Sequence, residues 1–324
     1  MLQTLPLVLF IVMAEVSIGA VSVLVFLDWR NEVKRGFLIS YALIYLVLAG
    51  LTYWFQQVFS PPALLNTYLQ LDKAWTGFLS LPLLLFFLLL VPYSLFLVLD
   101  KHAGGVDEKV SVNEEGQEKP QERRPSALRS LRMLSGVATV IAGLVTLFIM
   151  AMIYRPLAAT NGAGVFTVAS FFAAAFALGG VLTAMWLGHW YLVTPALSEK
   201  PLLFSTTVVL VAVVAQVAFF LAAGPASTYV NKPTTPPAVT VQATPIVGTQ
   251  IKPANAPVVT PLSTDAIGWI HILVGFIMPL VLGGLAWKLI RDRSFQSATG
   301  MLYLVVVCSL AGEAMARGLF LIGL

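Results

Sequence analysis

Four ionisable residues stand inside apolar sequence, where charge is costly: Glu15 in FIVMAEVSIG, His271 in IGWIHILV, and Glu313 and Arg317 in AGEAMARGLF. Their types suit proton-coupled chemistry. A desolvated carboxyl can hold a proton near neutral pH, and an imidazole exchanges one there. Residues four apart share a helix face, so Arg317 sets the field around Glu313. The plainer alternative is that the two simply neutralise each other. Glu15 has no charged partner within its own helix, and Ala14, Gly19 and Ala20 leave space around it. An unpaired carboxylate at membrane depth points to a proton or ligand site; the competing reading is a protonated Glu bonded to a neighbouring helix.

The elements that must position these residues follow from composition. The chain has 324 residues, 58% hydrophobic and only 10% charged, whereas soluble domains carry about 25% charged residues. Eight runs reach the roughly 20 apolar residues that a spanning helix needs. They cover 4–27, 36–58, 74–99, 133–153, 164–194, 202–223, 267–289 and 298–323. The expected fold is therefore all-α, a polytopic membrane bundle of eight helices. It divides into residues 1–99 (three helices), a charged connection at 100–131 expected to be disordered, and residues 132–223 (three helices). A Pro/Thr-rich connection at 224–265 and two final helices at 266–324 complete it. The first run lacks a basic flank and a small-residue cleavage site, so it reads as a retained helix. The lone Cys308 excludes an intrachain disulfide and a cysteine-ligated cluster. No phosphate loop, zinc-protease helix or nucleophile elbow is present. The bilayer is the expected surroundings, and nucleic acid is not an expected partner.

Counting Lys and Arg gives orientation. Fourteen of nineteen lie in the connections after the first, third, fifth and seventh helices, and four on the opposite side, with Arg317 inside the eighth helix. The positive-inside rule places the fourteen in the cytoplasm and both termini outside. Six tryptophans, among them Trp29, Trp190 and Trp269, fall near helix ends as an interfacial belt does. Glu15 then lies near mid-bilayer, Glu313 and Arg317 in the outer half, and His271 a turn or two below the outer surface. These four converge in one pocket if the first, seventh and eighth helices are neighbours. His189 and Trp190, in GHWYLVTPALSEKPL at the inner end of the fifth helix, form a possible second site, the alternative being an interfacial turn. The two histidines differ in depth by on the order of 20–25 Å. That separation argues against a shared haem b. Gln216 reads as a hydrogen bond between helices, and Gly179–Gly180 as a potential interruption of the fifth helix.

The opening LPLVLFIVMAEVSIGAVSVLVFL and the closing AGEAMARGLFLIGL resemble the first and last helices of the membrane anchor subunits of dimethyl sulfoxide reductase-type molybdoenzymes; in the last helix the matching residues are Gly312, Glu313, Arg317 and Phe320. The resemblance implies an eight-helix anchor in the inner (plasma) membrane, with both termini outside and without haem. It implies that the anchor oxidises menaquinol or another quinol. Electrons would pass to an Fe–S subunit and then to a molybdopterin subunit. The connections at 100–131 and 224–265 do not match that pattern. The expectation from another class is a non-redox scaffold or a small-solute or proton transporter, which internal repeats and broken helices favour.

Overall fold

The structure, a computed structural model, describes residues 4–100, 127–158, 161–193, 198–223, 264–322 and 324. Most of both long connections, including His102, and residues 194–197 after Trp190 lie outside the described residues. The described chain is all-helical. Its elements are α1 (Leu5–Arg30), α2 (Arg35–Phe59), the short α3 (Pro62–Leu65) and α4 (Lys73–Thr76), α5 (Ser80–Leu99), α6 (Ala127–Tyr154), α7 (Asn161–Val193), α8 (Lys200–Ala223), α9 (Thr264–His271), α10 (Met278–Arg291) and α11 (Phe295–Phe320). With α4 and α5 taken as one span, and α9 and α10 as another, eight segments are long and apolar enough to cross a membrane. Their even number returns the chain to the face where it began. That half of the bundle is called the terminal half below.

One helix occupies the centre. The apolar stretch of α1 is 89% buried within the protein, whereas the other seven spans are 28% to 50% buried. A helix that is apolar all round and carries small residues on several faces belongs inside a bundle. α1 accordingly packs against α2, α6, α7 and α11. Its crossing with α7 is backbone on backbone. A methyl group at Gly19 would fall 1.8 Å from the Ala175 carbonyl oxygen, and one at Gly179 would fall 2.0 Å from the Gly19 carbonyl carbon. Between membrane helices, such small-residue contacts supply the close packing that the hydrophobic effect does not. The Gly179–Gly180 pair therefore joins two helices, and α7 runs through it without a break.

Two boundaries differ from expectation. α6 begins at Ala127, so the last five residues of the expected charged connection are helical. Ala, Leu and Arg are strong helix formers, and Arg132 is anchored to neighbouring helices as described below. The third span is divided: Asp72 caps α4 by accepting from the Ala74 N–H at 3.1 Å, and α5 starts only at Ser80.

The seventh span contains a widened turn. Residues Ile272–Ile277 are π-helical, and the Met278 N–H donates to the Leu273 carbonyl, five residues back. Pro279 explains it. A proline within a helix lacks an N–H donor, and its ring presses on the carbonyl four residues earlier, here Gly275. Widening the preceding turn relieves that clash. Such turns recur at functional sites, and this one begins immediately after His271.

Candidate functional site

Arg317 of α11 is the hub of a buried cluster in the terminal half. Its Nη2 donates to Glu15 Oε1 of α1 at 2.5 Å, and its Nε lies 2.8 Å from Glu313 Oε1 on its own helix. Gln216 of α8 donates from Nε2 to Glu313 Oε2 at 2.9 Å. The guanidinium carbon sits 3.9 Å from the ring centre of Phe171 on α7, a cation–π contact that gains strength out of water. All three charged groups are buried. Charges out of water are tolerable only when paired, and here one guanidinium serves both carboxylates. The helical spacing of Glu313 and Arg317 already indicated their pairing. The sequence did not indicate that Arg317 also serves Glu15, because that contact joins residues 302 positions apart. Two carboxylates facing one guanidinium leave one negative charge unmatched, which is a place for a proton.

A crevice opens beside this cluster. It is wide enough for only about one water. Gln216, His271, Ser309 and Glu313 supply its polar lining, and Phe276 part of its apolar wall. His271 is buried, and its ring lies 4.7 Å from that of Phe276 and 6.3 Å from that of Phe220, both edge-on. The floor is formed by a close helix approach: a methyl group at Gly312 would fall 2.2 Å from the Gly275 Cα. The widened turn thus presents Gly275 to Gly312 of α11, and His271 immediately precedes it. Glu15, His271, Glu313 and Arg317 do gather in one region, with Glu15 behind the arginine and His271 across the crevice.

The other candidate pair is not gathered. His189 is exposed on α7, and Trp190 packs edge-on against Phe37 at 5.9 Å. Instead, the opposite half of the bundle holds a second ionic cluster. Arg132 of α6 places Nε 3.1 Å from Asp28 Oδ2 on α1 and Nη1 2.7 Å from Asp100 Oδ2 at the end of α5. Tyr93 donates its hydroxyl to Asp28 Oδ2 at 3.2 Å. Sequence reasoning missed this cluster by counting Arg132 among loop charges. A signal was present: Arg132, Gly136, Thr139, Gly143 and Thr146 recur at spacings of four and three, which is one helix face, and all five are buried.

Among the described residues no group of three or more His, Cys, Asp or Glu is arranged to hold a metal ion. No family model, no curated protein and no solved structure matches this chain.

Proposed function

We propose that this multi-pass membrane protein is the quinol-oxidising anchor of a respiratory complex, with the crevice of the terminal half as its site. One observation carries the reading. Gln216 of α8, His271 of the seventh span and Glu313 of α11 line one crevice, and beside it Arg317 joins Glu313 to Glu15 of α1. Oxidation of a quinol releases two electrons and two protons. His271 hydrogen-bonds a quinol oxygen, Glu313 and Glu15 take up protons, and Arg317 holds both carboxylates in place. The electrons leave to an Fe–S centre of a docked partner, and from there to a molybdopterin subunit. The positive-inside count puts the terminal half, and both chain ends, on the outer side of the plasma membrane. A quinol ring enters the narrow crevice only when lining side chains such as Phe276 move.

The test has two parts. Purification from native membranes should bring down an Fe–S protein and a molybdoenzyme, and the complex should oxidise a menaquinol analogue. Full activity in a complex carrying both Glu15→Gln and Glu313→Gln would remove the assigned site.

The width of the crevice favours a second reading, a proton or small-solute transporter. Proteoliposomes containing this chain alone separate the two: transport without any redox partner belongs to the second reading, and quinol oxidation by the complex to the first.

A further inference from the structure

Buried hydroxyls in this bundle follow a rule. Ser17, Ser22, Thr52, Ser94, Thr139, Thr146, Ser205, Thr206 and Thr299 each donate to the backbone carbonyl four residues earlier. That is how a hydroxyl is satisfied inside an apolar helix. Thr183 is bonded to Tyr45 instead. Ser309 departs from the pattern within its helix, as the hydroxyls of Ser60 at the end of α2 and Tyr154 at the end of α6 do elsewhere. It is 6% exposed, and among the described residues its Oγ has no hydrogen-bond partner. It lines the crevice one turn before Glu313 on the same helix face, opposite Gln216 and His271.

We propose that Ser309, with Gln216, His271 and Glu313, holds a single ordered water in the crevice, and that this water relays protons to Glu313. The space and the chemistry agree. The crevice takes about one water, and a buried water needs two to four polar partners, which these four side chains supply. The water accepts the Ser309 hydroxyl hydrogen and donates to the Glu313 carboxylate. A proton reaching the water from the crevice is matched by one passing from it to Glu313, so the water is unchanged. Ser309 does not itself exchange the proton; it is a positioning residue. The role in quinol oxidation rests on the function proposed above, whereas the water site does not.

The test is a map of the full-length protein in lipid nanodiscs, at a resolution that shows waters, beside maps of Ser309→Ala and the near-isosteric Ser309→Cys. The expected result is a separate peak about 2.6–3.2 Å from Ser309 Oγ and from one other polar group of the crevice. The peak should be lost in the alanine variant and weakened in the cysteine variant. A Ser309 hydroxyl turned onto the Val305 carbonyl with no peak would overturn the proposal. So would a peak unchanged in both variants. In the quinol-oxidising complex, Ser309→Ala should lower kcat, leave KM unchanged and enlarge the solvent isotope effect. A retained peak with no quinol oxidation by the native complex would sink the quinol reading and leave the water site standing.

Discussion

Arg317 and Arg132 each hold two buried carboxylates, on opposite halves of the same central helix. Glu15 and Asp28 are thirteen residues apart on α1, about 20 Å along its axis. The two clusters carry the same formal charges, yet they are built for different ends. Asp28 lies near the last turn of α1, and Asp100 caps the end of α5. Carboxylates are poorly placed at helix C-termini, where the backbone already presents negative ends. Arg132 offsets both, and pins three helices at one face. Tyr93 completes that cluster, with both carboxylates and the guanidinium at most 3% exposed. Around Arg317 the carboxylates sit within their helices, and a crevice, a widened turn and a glycine-on-glycine approach adjoin them. Equal charge counts do not imply equal roles. What surrounds the charges decides whether anything can reach them.

Substitutions that spare one cluster sharpen this contrast. The largest effect is expected at Arg132. Arg132→Met leaves two buried carboxylates without their cation and should cost about 3–5 kcal/mol, read as lost thermal stability in detergent. Adding Asp28→Asn and Asp100→Asn should restore most of that loss, with quinol oxidation kept. The matching triple at the other end, Glu15→Gln, Glu313→Gln and Arg317→Met, should also fold but not oxidise quinol. If both triples behave alike, the contrast is wrong. Next in size is Glu313→Gln alone. Loss of a proton acceptor typically lowers turnover about 10²–10⁴-fold, and the steady-state rate of the complex measures it; Asp28→Asn should leave that rate unchanged. Gly312→Ala drives a methyl group into the Gly275 backbone and should cost about 1–3 kcal/mol. Gly318, with open space around its Cβ direction, should tolerate alanine within about 0.5 kcal/mol. Tyr93→Phe should cost about 0.5–1.5 kcal/mol for one buried hydrogen bond, with no change in turnover.

The eight spans were legible because about 20 apolar residues in a row have few other uses. The start of α6 was less legible, since hydropathy falls gradually there while helical hydrogen bonding continues, and the break between α4 and α5 lies inside apolar sequence that reads as one run. Within the terminal half, the spacing of Glu313 and Arg317 indicated their pairing, and the expected depths of Glu15, near mid-bilayer, and His271, a turn or two below the surface, assigned both to that half. Depth does not give direction around a helix axis, however. The contact of Glu15 with Arg317 depends on which way α1 is turned, and the crossing through Gly19 and Gly179 fixes that. The Arg132 cluster went unread because charges at span ends are ordinarily solvated. Only the phase of Arg132 with Gly136, Thr139 and Gly143 set it apart. Ser309 carried no signal of its own, as serines in apolar helices are ordinarily satisfied by their own backbone.

The central position of α1 has a consequence for how the protein is made. Of the spans described, α1 is synthesised before the others, yet the cation that pairs with its glutamate comes with α11, 302 residues later. Until α11 emerges, Glu15 sits in the bilayer with no arginine, and α1 meets lipid along surfaces that are later covered by α2, α6, α7 and α11. A chain cut short before Arg317 therefore presents Glu15 without the guanidinium that it meets in the folded molecule. Pairing of Glu15 with Arg317 in this sense marks assembly of the bundle: it forms only in chains that have been translated through α11.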